Sequence, residues 1–354
     1  MRWIIALVAI LGLVAGGAYA FRGDIALALM ERVLERNMAS DAVAALPDGL
    51  HVGLCGAGAP MPAADRGGPC VIVIAGKRMI IVDSGTGGVR TLARMGFQAG
   101  QIERVLLTHF HSDHIDGLGE MMLQRWVAGG QSDPMPVHGP AGVERVVAGF
   151  NDAYALDQGY RVAHHGAETV PPAGFGGVAQ PFALDGGEAV VIDDGGLKIT
   201  AFAVEHAPIE PAVGYRVTYK GRTAVISGDT KASAAVEKAA AGADVLVHEA
   251  LSPALVGMIG SAAKKAGRDK LTKIMADILD YHTTPEEAAE IAARAKVKRL
   301  LLYHIVPPLP VSALEGPFLG RARELFSGPL SVGRDGDLVS MPAGSTEVSL
   351  ANRL

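Results

Sequence analysis

The chain opens on an apolar run and then settles into short alternating blocks. Residues 4–20, after Met1-Arg2-Trp3, carry no charged side chain. Residues 24–37 (DIALALMERVLERN) place apolar positions at helical spacing and predict a connecting helix, followed by a linker at 44–49. Short β-rich runs bounded by glycine then predict strands at 51–54, 71–75 and 79–82. A helix is expected over 88–97, and a buried strand over 105–107 that runs straight into Thr108-His109. The Gly/Pro-rich stretch 166–187 reads as loop. A second strand set follows at 189–192, 197–204, 214–219, 223–227, 245–248 and 299–303, with helices over 231–241 and 285–295. Strands dominate both halves and helices flank them. The pattern predicts an α/β sandwich, two sheets inside and helices on both faces. The tail, with a helix near 318–326 and a strand pair around Arg334 to Asp337, is expected to close the second sheet.

The opening run is long for the apolar segment of a signal peptide and short for a comfortable membrane span. It ends in Ala18-Tyr19-Ala20, a small-x-small cleavage pattern. A cleaved signal peptide and an uncleaved anchor both remain open, with a buried core helix as the third reading. Either targeting reading puts the rest of the chain outside the cytoplasm, in the periplasm or held at the membrane. The expected division is 1–22 as signal peptide or anchor, 23–49 as connecting helix and linker, and 50–354 as the functional domain.

Composition adds limits. Of 354 residues, 49% are apolar and 19% charged, which supplies a large core and excludes a disordered chain. The mean hydropathy of +0.26 is partly the opening run. The net charge of −5 argues against a nucleic-acid partner. Two cysteines cannot frame a disulfide scaffold. Cys55 and Cys70 flank a Gly/Pro-rich loop, and a disulfide and two buried thiols remain open. Gly56-Ala57-Gly58 follows a strand, but Met61 stands where a dinucleotide fingerprint needs its third glycine.

The chemistry concentrates in Thr108-His109-Phe110-His111-Ser112-Asp113-His114. Imidazole and carboxylate suit zinc and related divalent ions, and a loop at a strand end can aim all four candidates at one place. HxHxDH resembles the signature of the metallo-β-lactamase superfamily, and further pieces follow in order. They are Asp83 in Ile-Val-Asp-Ser-Gly, His206 after a strand, Asp229 in Ser-Gly-Asp-Thr and His304 ending Leu-Leu-Leu-Tyr-His. The resemblance covers roughly 50–305 and implies an αββα four-layer metallo-β-lactamase sandwich. It also implies two Zn2+, with Mn2+ or another divalent ion as substitutes. One ion would sit on His109, His111 and His206 and the other on Asp113, His114 and His304. Asp229 would bridge them, and Asp83 would orient the loop. Two neighbouring cations lower the pKa of a shared water and align it with a charged ester.

Two boxes narrow the branch. Val-His248-Glu249-Ala250 and His282-Thr283-Thr284 resemble RNase Z-like motifs, as do Val137-His138-Gly139-Pro140 and Gly214-Tyr215-Arg216. The resemblance gives His282 the oxyanion or leaving group, Glu249 the task of orienting it, and Asp113 a place in the catalytic set. His248 reads equally as a packing residue, His164-His165 as a solvated pair and His51 as structural. The departures are a connection of only 22 residues between His206 and Asp229, where a tRNA-gripping arm has no room, and Leu251 in place of the box threonine. Residues 251–281 are expected to form a helical flap over the metal pocket, or else an ordinary helical hairpin. The resulting expectation is an exported zinc hydrolase of small sulfate esters or phosphodiesters, of arylsulfatase or phosphodiesterase type. It would have a small-molecule partner, no nucleic acid, membrane contact only through 4–20, and room for a homodimer. The alternatives are a lactonase or lactamase, and a non-catalytic metal-binding member of the fold.

Overall fold

The computed structural model describes residues 1–354; the side chains at positions 5, 8–10, 13, 14, 37 and 39 lie outside the described set. The chain divides into two units, Met1–Ala42 and Val43–Leu354. The first unit holds helices α1 (Arg2–Ala20) and α2 (Arg22–Ala39). Among the described residues, no helix is long and apolar enough to cross a membrane. The export reading of residues 4–20 falls in part on side chains outside that set.

In the second unit the strands are β1 (Gly49–Gly56), β2 (Cys70–Ala75), β3 (Arg78–Val82), β4 (Ile102–Leu106), β5 (Met135–Gly139), β6 (Gly177–Pro181), β7 (Glu188–Asp194) and β8 (Leu197–Ala203). They continue with β9 (Val213–Tyr219), β10 (Arg222–Ile226), β11 (Val245–Leu251), β12 (Arg299–Val306), β13 (Leu330–Val332), β14 (Asp337–Pro342) and β15 (Ser349–Asn352). The helices are α3 (Gly88–Arg94), α4 (Ser112–Ile115), α5 (Leu118–Gly129), α6 (Val143–His165), α7 (Ala234–Ala240), α8 (Pro253–Lys265), α9 (Asp269–Asp277), α10 (Pro285–Arg294), α11 (Glu315–Leu319) and α12 (Ala322–Leu325).

Among the described residues these strands form two sheets, ordered β15-β14-β1-β2-β3-β4-β5-β6 and β13-β12-β11-β10-β9-β8-β7. Both follow one plan. The first is antiparallel from β15 to β3 and parallel from β3 to β6. The second is antiparallel from β7 to β10 and parallel from β10 to β13. A central strand such as β2 (CVIVIA) is buried along its whole length, as a strand covered on both faces must be. Its Val71, Val73 and Ala75 join Leu50, Ile80, Tyr215, Val247 and Tyr303 in the core between the sheets. Helix α10 shows why helices cover the outside. Thr284 and Glu287 make a reciprocal capping box, Pro285 fits the first turn, and Ala288, Ala289 and Ala292 let the helix sit close on the sheet. This layering is the αββα sandwich.

Cys55 and Cys70 form a disulfide that ties β1 to β2. In the chain-entropy account a loop of this size contributes about 3 kcal/mol. Two details differ from expectation. The stretch read as loop contains β6, a short, largely exposed edge strand whose Gly and Pro residues mask it in the sequence. The tail is shared between the sheets: β13 joins the second, whereas β14 and β15 extend the first.

Candidate metal centre

The site lies where parallel strands end, the usual place for ligands in such sheets. Asp83 follows β3 and adopts φ +60°, an uncommon conformation for a non-glycine residue. Its carboxylate accepts hydrogen bonds from the Thr108 N–H (2.8 Å), the Thr108 hydroxyl (2.8 Å) and His114 Nδ1 (2.8 Å). One buried carboxylate therefore fixes both ends of the 108–114 loop. The Thr108 hydroxyl, having donated to Asp83, accepts from His109 Nδ1 at 3.0 Å. On the other sheet, His206 Nδ1 donates to the Tyr281 carbonyl at 3.0 Å. With their Nδ1 atoms committed, His109 and His206 turn Nε2 inward. His111 Nδ1 lies 3.0 Å from His109 Nε2 and 3.4 Å from His206 Nε2.

Asp229 comes after β10 through Gly228 at φ +63°. A Cβ at Gly228 would sit 2.6 Å from the Val213 carbonyl, so only glycine allows this turn. Asp229 Oδ2 lies 3.9 Å from His109, 4.0 Å from His206, 3.3 Å from His114 and 3.2 Å from His304. His304 is reached by a β-bulge. Glu249 pairs with Tyr303 and Ala250 with Ile305, which leaves His304 as the extra residue, at φ +47°. Bulges re-aim side chains next to sites, and this one turns His304 toward Asp113, with Nε2 at 3.3 Å from its carboxylate.

The seven residues fall in two clusters, His109, His111, His206 and Asp229, and Asp113, His114 and His304, while Asp229 and His304 form a third group with His282. Within a cluster the donor atoms lie within 4.8 Å of one another. The fit to a cation is visible in what stays unpaired. His114 donates Nδ1–H to Asp83, and its Nε2 lies 3.3 Å from Asp229 Oδ2. Among the described residues His114 Nε2 and Asp229 Oδ1 are buried without a hydrogen-bond partner. Each such atom costs about 1–3 kcal/mol unless something satisfies it. Burial by itself would raise the Asp229 pKa, but the imidazoles of His304 and His114 hold this carboxyl well below the usual range. Divalent ions fit these His/Asp clusters.

His282, which shares a group with Asp229 and His304, donates Nδ1–H to Glu249 Oε1 at 2.9 Å. The same oxygen accepts from the N–H groups of Thr230 (3.1 Å) and Thr283 (3.2 Å), so the buried carboxylate is locked from three sides. The His282 ring lies 5.5 Å from that of His206 and 5.4 Å from that of His304. Burial opposes charge on His282, yet the Glu249 carboxylate outweighs it and pushes the imidazole up to about 9. His248 is buried and bonds to the Glu249 carbonyl at 2.8 Å, outside both clusters. His51 bonds to the Pro47 carbonyl, and the rings of His164 and His165 meet edge to face at the exposed end of α6. Thr108, Thr230 and Thr283 stood within the motifs without an assigned role, and Tyr281 was missed, since a backbone carbonyl that accepts a hydrogen bond leaves no pattern in the sequence.

A fold of two such sheets with this cluster at its strand ends defines a class. Residues 78–305 match the β-lactamase superfamily domain, and the chain belongs to that superfamily as a metal-dependent hydrolase. Within it the chain belongs to the ribonuclease Z family. It is 36% identical to Ribonuclease Z of Mycobacterium avium over 298 residues, 84% of this chain and all of the relative. The Mycolicibacterium gilvum Ribonuclease Z is 36% identical over 288 residues, covering 81% and 94%. Among solved structures, the human short-form tRNase Z has a TM-score of 0.58 at 23% identity, covering 82% of this chain and 99% of its own. The metallo-β-lactamase fold protein YhfI from Bacillus subtilis has a TM-score of 0.56 at 20% identity, covering 82% and 98%. Both show the shared fold.

These relatives overturn two expectations: small sulfate or phosphate esters as substrates, and the exclusion of nucleic acid. The relatives are named for a ribonuclease, not for a sulfatase. The exclusion rested on the net charge, the short connection between His206 and Asp229 and the expected export, and its weakest part was the charge argument. A net charge of −5 sums over the whole chain, whereas nucleic acid reads local fields. Between Lys264 and Lys273 five cations face a single carboxylate.

Proposed function

We propose that this chain is a ribonuclease of the ribonuclease Z type, which hydrolyses a phosphodiester bond in RNA with two divalent ions, zinc foremost, held by the seven residues above. The observation that carries the reading is the Glu249–His282 pair, buried and three-fold anchored beside the two clusters. Ions held there would supply Lewis-acid stabilisation and an activated water. Glu249 fixes His282 Nδ1, which leaves Nε2 to hold a proton at the leaving oxygen of the cut ester. Asp229 of the first cluster reaches His114 and His304 of the second, and Asp113 lies against His304 within the second. The test is incubation of the zinc- or manganese-loaded chain with a 3′-extended tRNA transcript. One discrete cleavage product is expected. An intact transcript at two bound ions per chain would overturn the reading.

We propose further that residues 4–20 direct the chain out of the cytoplasm, with the Cys55–Cys70 disulfide as support. Cell fractionation tests this, and recovery of the full-length chain solely in the cytoplasmic fraction would refute it.

A further inference from the structure

We propose that the tip of the α8–α9 hairpin is the surface with which this chain grips RNA; the inference rests on the ribonuclease reading above. Between His206 and Asp229 the chain has room for β9 and β10 and the tight turn at Lys220-Gly221 that joins them. No arm projects from that connection, so any grip must come from another element. The hairpin is placed for it. It departs from β11 two residues after Glu249 and returns just before Tyr281-His282, so both its ends are rooted in the catalytic pair. Val256 and Met275 pin its base against Leu251 and Val306. Ser252 caps α8, whose 13 residues rise roughly 20 Å from that base.

The far end is basic. Lys264, Lys265, Arg268, Lys270 and Lys273 are all exposed, with Asp269 the one carboxylate among them. Lys273 pairs with Asp277 at 2.8 Å. Among the described residues the other four form no ion pair. Helix electrostatics explains only part of this. Lys264 and Lys265 in the last turn of α8 suit its negative end, but Arg268 and Lys270 stand at the start of α9, the end that disfavours cations. Four unpaired cations in seven residues, two of them against the helix field, fit a polyanion rather than local stability. A shallow open hollow of about 580 Å³ on α8, lined by Pro253, Gly257, Met258, Ser261 and Lys265 among others, leads from base to tip and leaves room for a sugar–phosphate strand.

The test uses the full metal-loaded chain and its Lys264→Glu/Lys265→Glu/Arg268→Glu/Lys270→Glu variant, with the four alanine substitutions as a second variant. The readouts are affinity for a 3′-extended tRNA transcript across a salt series, cleavage of that transcript, and turnover of bis-p-nitrophenyl phosphate. In the glutamate variant, RNA affinity at 0.1 M salt should fall at least thirtyfold. The slope of log affinity against log salt should flatten by roughly 3. The ratio of RNA to small-diester kcat/KM should fall at least tenfold, and the alanine variant should lie between. Unchanged affinity and slope in a variant that still cuts RNA would overturn the grip and leave the ribonuclease reading standing. Tip-dependent RNA binding without cleavage would do the reverse. A wild-type chain that neither binds nor cuts RNA would overturn both. Loss of binding to anionic phosphatidylserine vesicles with RNA affinity intact would assign the tip to a membrane surface and overturn the inference.

Discussion

His109, His111, Asp113 and His114 come from one passage after β4, whereas His206 and Asp229 follow two strands of the other sheet and His304 lies at a bulge within a third. The difference lies in how each half is held. The contiguous half depends on a single organiser, Asp83, whose carboxylate receives Thr108 at one end of the loop and His114 at the other. The distributed half has a separate local device for each residue. These are a carbonyl acceptor at Tyr281 for His206, a glycine turn for Asp229 and a bulge for His304. Damage should therefore spread in the first half and stay local in the second, except at Asp229, which touches both.

Asp229→Ala is expected to have the largest effect. Metal analysis should find at least one ion fewer per chain, with RNA cleavage at background. Retention of both ions would mean that the two halves stand independently. His282→Ala is next: both ions should remain, and turnover should fall by about 10²–10⁴. A fully active His282→Ala chain would remove that residue from the chemistry. Asp83→Ala tests the single-organiser idea. It should weaken metal binding by roughly 10–100-fold although no ligand is lost, and more than Thr283→Ala does on the other sheet. Equal effects would erase the contrast.

The smallest effect lies beneath the contiguous loop, on β5. Burial holds His138 down to about 4, and the Arg104 guanidinium adds to it. Above pH 6.5 the ring is neutral folded or unfolded. Between about 6.5 and 4 the unfolded chain takes the proton first, so stability falls as pH falls. For a half-buried ring this amounts to roughly 1–2 kcal/mol. Urea unfolding of the His138→Gln chain at pH 7 and pH 5 should show a smaller acid loss than the parent; an identical loss would refute the assignment.

What could be read in advance follows the same division. The HxHxDH run was legible because its residues are adjacent, and Asp83, Asp229 and His304 because each comes at or near the end of an apolar strand run in a fixed order. The bulge that aims His304 was not legible, since a bulge is a property of two strands and the sequence shows one. Nor was the disulfide, whose two cysteines fitted free thiols as well. Strand β6 was hidden by Gly177 and Pro181, and the tail was misassigned because Leu338 and Val339 pair with β1, almost three hundred residues away. The exclusion of nucleic acid, which the relatives overturn, leaned on a chain-wide charge that averages over the cations at 264–273.

The candidate ligands come from both sheets, so an occupied centre would act as a clasp. Ions that bind the folded chain alone stabilise it in proportion to the logarithm of their concentration, about 1.4 kcal/mol for each tenfold excess over the dissociation constant. The seam between the sheets would feel that first, because His109 and His114 on one side and His206 and His304 on the other share the same Asp229 oxygen. A chelator would then loosen the molecule along this line before either sheet melts. The supply of divalent ions in the compartment would govern how long the chain survives proteolysis there as well as how fast it works.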